Sequence, residues 1–165
     1  MSATDEAVRA NEAFARQFAW GQLASAPARK LAVVACMDAR LNVEQALGLG
    51  IGDAHVIRNA GGVVTVDTLA SLLVSHHLLG TREFVIINHT DCGMLTFTDA
   101  ELRQRLERSS GVVVAAPSCF YAFTDLEANL RRQVQVVRSH PWVPREVGVR
   151  GFLYDVKTGR LRELA

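Results

Sequence analysis

Two short, uninterrupted apolar runs constrain the fold of this chain more than any other feature. Residues 31–35 (Leu-Ala-Val-Val-Ala) and 84–87 (Phe-Val-Ile-Ile) contain no polar position. Runs of this length without alternation are typical of strands buried on both faces, which occur almost only in parallel sheets covered by helices. We therefore predict an α/β fold with a mainly parallel central sheet flanked by helices.

The segments around these runs carry the patterns of helices and of further strands. Helices are predicted over residues 5–20, 42–49, 67–79, 99–108 and 125–139. Shorter strands are predicted over residues 55–58 and 147–156, with a hairpin turn over residues 157–159. Residues 21–29 contain Gly, Ser and Pro and predict a linker. We expect a single domain over residues 1–165, in which residues 1–30 form an N-terminal helical arm and linker.

The net charge and the number of cysteines indicate which partners and which cellular compartment to expect for this chain. The formal net charge is +1, and no run of like charges predicts binding to nucleic acid. No apolar run approaches the length of a membrane span, and the polar, acidic start of the chain does not resemble a secretory signal. The three cysteines therefore predict ligands, nucleophiles or core residues of a cytoplasmic protein rather than disulfides.

The first chemically distinctive motif follows the first apolar run and reads Cys36-Met37-Asp38-Ala39-Arg40. Alternate residues of an extended segment point the same way, so Cys36, Asp38 and Arg40 can face one site. A thiolate beside a carboxylate needs a cation, which is either a metal or the arginine, and the arginine can pair with Asp38 through two hydrogen bonds. Taken alone, the motif is better explained by a buried structural cysteine beside a surface ion pair.

The second motif follows the second apolar run and reads His89-Thr90-Asp91-Cys92-Gly93. An imidazole and a thiolate three positions apart can bind one metal ion from a single loop, and zinc accepts this mixture of nitrogen and sulfur. Taken alone, this motif is better explained by a capping histidine and a core cysteine.

Together, the two motifs favour one metal site. Sites in parallel sheets gather at the carboxyl ends of the strands, so Cys36, His89 and Cys92 are expected to meet there. Two thiolates and one imidazole suit catalytic zinc, which usually has three protein ligands and one open position. A thiol redox protein is an alternative that predicts a reversible Cys36–Cys92 disulfide, but it leaves His89 unexplained. Cys119 has no partner motif, and we expect it to be a free thiol.

The paired motifs resemble those of the β class of carbonic anhydrases, in particular its compact bacterial and archaeal branch. The resemblance runs almost throughout residues 33–97 and returns near the end of the chain. The segments that carry it are Ala35-Cys36-Met37-Asp38-Ala39-Arg40, Val56-Ile57-Arg58-Asn59-Ala60-Gly61-Gly62, His89-Thr90-Asp91-Cys92-Gly93-Met94 and Val149-Arg150-Gly151-Phe152-Leu153-Tyr154-Asp155. It implies a β-carbonic anhydrase-like fold and a homodimer or homotetramer with sites near the subunit interface.

The resemblance also implies one zinc ion per subunit, with Cys36, His89 and Cys92 as its ligands. The implied reaction is the reversible hydration of carbon dioxide to bicarbonate and a proton by a zinc-bound hydroxide. Asp38 and Arg40 match the catalytic dyad, in which the aspartate orients the hydroxide and the arginine holds the aspartate away from the metal. In some members the aspartate instead becomes the fourth ligand and closes the site. The partners we expect are a small-molecule substrate and further copies of the chain, without nucleic acid or membrane.

Four residues of the second matching segment are expected to line or support the site, namely Arg58, Asn59, Gly61 and Gly62. The glycines would let the backbone come close to a ligand or a neighbouring element, although an ordinary turn between a strand and a helix accounts for them equally well. Because carbon dioxide is small and apolar, we expect a narrow, apolar pocket.

Two other functions are compatible with the same residues. Zinc hydroxide can also attack carbonyl sulfide or carbon disulfide, and some members of the branch are hydrolases for those gases. A specialised gate would differ within residues 109–124, whose pattern is irregular. A zinc-stabilised regulatory domain without catalysis is less favoured, because a structural zinc site has no need of the Asp38–Arg40 pair.

Overall fold

The computed structural model describes residues 1–165 and contains one sheet of five strands. The strands are β1 Leu31–Cys36, β2 Ala54–Asn59, β3 Glu83–His89, β4 Gly148–Tyr154 and β5 Leu161–Glu163. Their order in the sheet is β2-β1-β3-β4-β5; the first four are parallel, and β5 pairs antiparallel with β4 as the second arm of the expected hairpin. The predicted α/β fold with a mainly parallel sheet is confirmed.

The chain has five α-helices, and each follows a capping residue whose side chain accepts a hydrogen bond from a backbone N–H of the first turn. The helices are α1 Ala3–Arg16, α2 Val43–Leu47, α3 Val66–His77, α4 Asp99–Ser110 and α5 Leu126–Arg138. The capping residues are Ser2, Asn42, Thr65, Thr98 and Asp125. None of the five helices is both long enough and apolar enough to cross a bilayer.

The first helix ends at Arg16, earlier than the predicted Trp20. Past this point the chain bends so that the rings of Phe14, Phe18 and Trp20 pack against one another, with centroid distances of 5.6, 6.3 and 5.7 Å. Helix α1 contributes no buried residue of its own. The expected N-terminal helical arm is therefore present, and it lies outside the core.

The apolar run of β1 supplies the core on both faces of the sheet, because successive strand side chains point to opposite sides. Val33 and Ala35 pack with Val43 of α2 on one face. Ala32 and Val34 lie on the other face, where α3 and α5 contribute a larger set. That set includes Leu72, Leu130, Val134 and Val137. Fully burying a side chain such as Val34 stabilises the fold by about 1.5–3 kcal/mol.

The sheet determines where the motif residues lie. Strands β1 and β3 are parallel neighbours with Ala35 opposite Ile87, so both run in the same direction to the same edge. β1 ends at Cys36 and β3 ends at His89. The two motifs, distant in sequence, thus arrive side by side at the carboxyl edge of the sheet, as their positions after the apolar runs predict.

Candidate metal centre

Three side chains from the two motifs form a compact buried cluster at the carboxyl edge. One potential ligand atom from each of Cys36, His89 and Cys92 lies within 4.8 Å of the others. Cys36 is the last residue of β1 and His89 the last of β3, while Cys92 follows in the turn after β3. All three residues are buried, so a cation held by them would be shielded from bulk water.

The orientation of His89 leaves one ring nitrogen free for a metal. Its Nδ1 donates to the carbonyl oxygen of Thr90 at 2.8 Å, which fixes the tautomer. Its Nε2 therefore presents a lone pair, and this buried atom has no hydrogen-bond partner. Buried polar atoms are nearly always satisfied, so the lone pair beside two thiols fits a bound metal. A carbonyl accepting from the second nitrogen is the usual support of a metal-binding histidine.

The pKa values of the two thiols are shifted in opposite directions. The neighbouring Cys92 thiol, which can donate to Cys36 Sγ, lowers the pKa of the Cys36 thiol. The backbone N–H of Gly61 also donates to Cys36 Sγ at 3.3 Å. The contact with the Cys36 sulfur raises the pKa of Cys92, and burial and the repulsion between two thiolates act in the same direction. A cation between the sulfurs would remove this repulsion, and two sulfurs with one nitrogen are a donor set that suits zinc.

Asp38 lies next to the cluster, and Arg40 holds its carboxylate in place through hydrogen bonds. The guanidinium donates from Nε to Asp38 Oδ1 at 3.0 Å and from Nη2 to Asp38 Oδ2 at 2.8 Å. These hydrogen bonds hold the pKa of the Asp38 carboxyl below its ordinary value. Asp38 Oδ2 is 3.8 Å from His89 Nε2. The carboxylate is thus ionised beside the free lone pair, while both of its oxygens are held by the arginine.

Asp91 completes this ion-pair network, and the sequence analysis did not identify it. Its Oδ2 accepts from Arg40 Nη1 at 2.8 Å and its carbonyl oxygen accepts from Arg40 Nη2 at 3.0 Å. Its backbone is left-handed, with φ of 57°, a conformation that Asp tolerates better than most residues. The available signal was its place between His89 and Cys92, but the pairing joins residues 51 positions apart.

Arg58 and Asn59 support the loops rather than facing the cluster. Arg58 donates from Nε to the carbonyl oxygen of Cys36 at 2.9 Å and from Nη2 to that of Asp38 at 2.7 Å. Asn59 both accepts from the backbone N–H of Val63 at 2.9 Å and donates to the Val63 carbonyl at 2.7 Å. Arg58 thus fixes the loop that follows Cys36, and Asn59 closes the turn that contains Gly61 and Gly62.

The two glycines differ in what they do at the site. Gly61 lines the cleft and supplies the N–H that reaches Cys36. Gly62 has φ of 60°, and a Cβ there would lie 2.8 Å from the carbonyl oxygen of Ile87 and 2.9 Å from the backbone nitrogen of Cys36. Close backbone approach therefore requires glycine at position 62, which favours the interpretation of a site-building turn over that of an ordinary connection.

An open cleft of about 590 Å³ leads to the cluster. Its lining is mostly apolar, as the sequence predicts for a pocket that admits carbon dioxide. The residues beyond the motifs that line it are Thr96, Phe97, Leu102, Arg105 and Phe120. Phe120 comes from residues 109–124, so the segment considered as a possible gate does contribute to the access route.

Cys119 lies outside the metal cluster. Its thiol donates to Asp99 Oδ2 at 2.9 Å, and it forms no disulfide, as predicted.

Comparisons with known proteins agree with this geometry. A family model described as carbonic anhydrase matches residues 31–161. A β-carbonic anhydrase 1 of Mycobacterium tuberculosis (strain H37Rv) is 42% identical over 99% of this chain and 99% of its own length. The crystal structure of a carbonic anhydrase from Streptococcus mutans superposes with a TM-score of 0.93 at 42% identity, covering 100% of this chain and 99% of that one. A carbon disulfide hydrolase of Acidianus sp. strain A1-3 is 35% identical over 82% of this chain and 77% of its own length.

Proposed function

This chain belongs to the β-carbonic anhydrase family, and from that premise we propose that it catalyses the reversible hydration of carbon dioxide to bicarbonate and a proton. The proposal includes one zinc ion per subunit, held by Cys36, His89 and Cys92. The observation that carries it is the buried, unpartnered Nε2 of His89, which faces two thiols beside a carboxylate held by an arginine. A structural zinc site needs four protein ligands and no such carboxylate.

The proposed cofactor fits the residues present. Bound zinc supplies a Lewis acid that lowers the pKa of a coordinated water from 15.7 to about 7. Three protein ligands would leave one position of a bound zinc for that water, as is usual in catalytic zinc sites. Burial of the cluster strengthens the electrostatic effect of the cation, because the surrounding dielectric is low.

Asp38 and Arg40 are the proposed catalytic dyad. Asp38 lines the cleft that leads to the cluster, and its carboxylate could accept a hydrogen bond from the attacking water and so orient the oxygen lone pair toward carbon dioxide. Arg40 holds both carboxylate oxygens and so prevents Asp38 from becoming the fourth ligand. The low pKa of Asp38 keeps it an acceptor at neutral pH.

The cleft suits an apolar substrate and an anionic product. Carbon dioxide has no charge and can partition into the apolar lining around Met94 and Phe97. Arg105 is the only cationic residue that lines the cleft, so the anion formed would meet one positive charge on its way out. Arg58 and Asn59 have supporting roles in this scheme, since they hold the loops that carry the reacting groups.

Carbon disulfide hydrolysis is the second candidate function. It is favoured by one observation, the 35% identity with a named carbon disulfide hydrolase. The same three ligands and dyad would serve, and the reaction consumes two waters and releases carbon dioxide and two molecules of hydrogen sulfide. Carbonyl sulfide is a third linear substrate of the same class. We favour carbon dioxide, because relatives named as carbonic anhydrases match more of this chain at higher identity.

The proposal also includes a homo-oligomer, a homodimer or homotetramer, and a cytoplasmic location. The arm carries three partly exposed aromatic rings, with Phe14 and Phe18 48% and Trp20 43% exposed. A surface of this kind is better explained by contact with a second subunit than by solvent. Free thiols as ligands suit a reducing compartment.

Stopped-flow carbon dioxide hydration, followed with a pH indicator on protein of measured zinc content, tests the proposal. We expect fast turnover that depends on zinc and is lost in Cys92→Ala, because that variant removes one ligand. Cys119→Ala is the matched control, since Cys119 is a free thiol outside the cluster and its loss should leave turnover unchanged.

The same preparation distinguishes the alternatives. Zinc-loaded protein that hydrates no carbon dioxide but releases hydrogen sulfide from carbon disulfide would assign the hydrolase function. Zinc-loaded protein inactive on carbon dioxide, carbonyl sulfide and carbon disulfide would support a non-catalytic domain. Protein that binds no zinc and forms a reversible Cys36–Cys92 disulfide would support a redox function.

A further inference from the structure

A row of three buried side-chain amides, here called a file, is joined by hydrogen bonds and connects helix α5 with the turn that contains Gly61. Asn88 Nδ2 donates to the carbonyl oxygens of Gly61 and Gly62 at 2.9 and 3.2 Å. Asn129 Nδ2 donates to Asn88 Oδ1 at 2.9 Å, and Gln133 Nε2 donates to Asn129 Oδ1 at 2.9 Å. These three side chains, Asn88, Asn129 and Gln133, are called the amide file below.

Gln133, the last residue of the amide file, also forms a hydrogen bond with the same turn. Gln133 Oε1 accepts from the backbone N–H of Val64 at 2.8 Å, so the file and residues 61–64 form a closed ring of hydrogen bonds. The orientation of every amide is determined, because the glycine carbonyls can only accept and the Val64 N–H can only donate. Asn88, Asn129 and Gln133 are 1%, 3% and 5% exposed, so water does not substitute for any of these contacts.

The turn held in this way touches the metal cluster through one hydrogen bond. Gly61 N–H donates to Cys36 Sγ at 3.3 Å. We propose that the amide file positions Gly61 N–H against the Cys36 sulfur and thereby tunes the charge that this thiolate donates to the metal. Asn88, Asn129 and Gln133 are thus positioning residues, and this inference rests on the proposed metal site.

Core packing alone does not account for the file. The neighbouring buried positions of α5 are Leu130, Val134 and Val137, so this helix face otherwise packs with apolar side chains. A buried amide costs free energy unless its hydrogen bonds are made, and α5 carries two: Gln133 bonds the turn directly and Asn129 bonds it through Asn88. An N–H that donates to a metal-bound thiolate stabilises the sulfur lone pair, and such outer partners typically change metal affinity by 10- to 100-fold.

Cobalt(II) substitution of the purified full-length chain tests the proposal, since the sulfur-to-cobalt charge-transfer band reports on the thiolate directly. Asn129→Leu keeps the number and branching of the side-chain heavy atoms and removes the donor to Asn88. We expect the band to move to lower energy, because loss of the Gly61 hydrogen bond raises the energy of the sulfur lone pair. We also expect the cobalt dissociation constant to rise by about tenfold.

Ser75→Ala is the control for general destabilisation. Ser75 is 3% exposed and bonds Thr81 Oγ1 at 2.6 Å, at the amino end of the sheet away from the cluster. Its variant should lower the melting temperature without moving the band. If Asn129→Leu fails to fold, Gln133→Met, which keeps the Asn129–Asn88 contact, should give a smaller shift in the same direction.

The outcomes separate this inference from the proposed function. A band at the parental position in both file variants, or an equal shift in Ser75→Ala, would overturn the role of the amide file. A parental chain that binds no cobalt at all would instead overturn the proposed metal site, and the inference with it.

Discussion

Asp38 is the residue with two possible partners at this site. It lies 3.8 Å from His89 Nε2, close enough that a small rotation would bring its carboxylate to the metal position. Arg40 opposes that movement with two hydrogen bonds to the carboxylate, and Asp91 holds the same guanidinium from the other side. At the residue scale, we therefore expect activity to depend on whether Asp38 stays paired with Arg40.

Arg40→Ala is expected to release Asp38 toward the metal. We predict that zinc content stays at the parental level while carbon dioxide hydration falls by about 100-fold, the lower end of what a positioned acid–base group contributes. The measurement is stopped-flow hydration on protein of known zinc content, with the cobalt(II) spectrum as a second readout of the changed fourth ligand. Full activity in this variant would contradict the dyad assignment.

Asp91→Asn is expected to weaken the same restraint without removing it. Asp91 is exposed, its side chain being 70% accessible, and exposed ion pairs have small effects, so we predict a loss of about twofold to fivefold in hydration. The backbone carbonyl of Asp91 still accepts from Arg40, which limits the loss. Asp91→Glu should recover part of the activity. A loss as large as that of Arg40→Ala would show that Asp91 does more than hold the arginine.

At the scale of elements, the site is built where β1, β3 and the Gly62 turn converge. The apolar runs and motif positions suffice to predict that Cys36 and His89 meet, because parallel strands share one carboxyl edge. The same local patterns do not predict the Arg40–Asp91 pair or the link from Asn88 to Asn129. Those contacts depend on how a loop bends and which face α5 presents, and both are set by tertiary packing rather than by the neighbouring sequence.

Gly62→Ala is expected to disrupt this convergence. Gly80 also has a left-handed backbone, with φ of 75°, but a Cβ there would meet nothing within 4 Å. Gly80→Ala should therefore cost about 1 kcal/mol of unfolding free energy from backbone strain alone. Gly62→Ala adds a collision with backbone atoms of Ile87 and Cys36 and should cost about 3 kcal/mol or more. Chemical denaturation of the two variants measures the difference, and equal losses would contradict the proposed collision.

Asp99 links α4 to the segment that supplies Phe120, and its contribution should depend on pH. Its carboxylate accepts from the Cys119 thiol, the largest cause of its lowered pKa, and from the backbone N–H groups of Ala122, Phe120 and Tyr121. Because the pKa is lower in the folded state, the stabilisation is present above the ordinary value of about 3.9 and disappears as pH falls through the lowered value.

Asp99→Asn should therefore lower the melting temperature at neutral pH and leave it unchanged in strong acid. We expect a loss of about 1 kcal/mol for the hydrogen bonds, which corresponds to about 3 °C at this chain length. Calorimetry of both proteins at descending pH measures the difference, which should shrink below about pH 4. Glu107→Gln on the same helix is the control. A difference that persists in acid would mean that the charge of Asp99 does not carry the effect.

At the scale of the whole molecule, the arm and the sheet differ in how much apolar surface they bury. The sheet buries its apolar side chains on both faces, and sequence patterning predicts it well for that reason. Helix α1 buries none, although a helix of 14 residues is marginal in water without packing. Its sequence predicts a helix but does not identify what stabilises it, because α1 buries no residue against the rest of this chain.

A second copy of the chain is the partner we expect for the arm, and the aromatic rings are where the prediction can be tested. Phe14→Ser combined with Phe18→Ser removes two of the three packed rings, and it leaves the sheet intact because neither ring is part of the buried core. We predict that light scattering coupled to size-exclusion chromatography gives the mass of a dimer or larger for the parental chain, and a shift toward monomer for the variant. Val113→Ser, at a position 80% exposed in the loop between α4 and α5, should keep the parental mass. Because association depends on burying these rings, a variant that keeps the parental mass would place the subunit interface elsewhere.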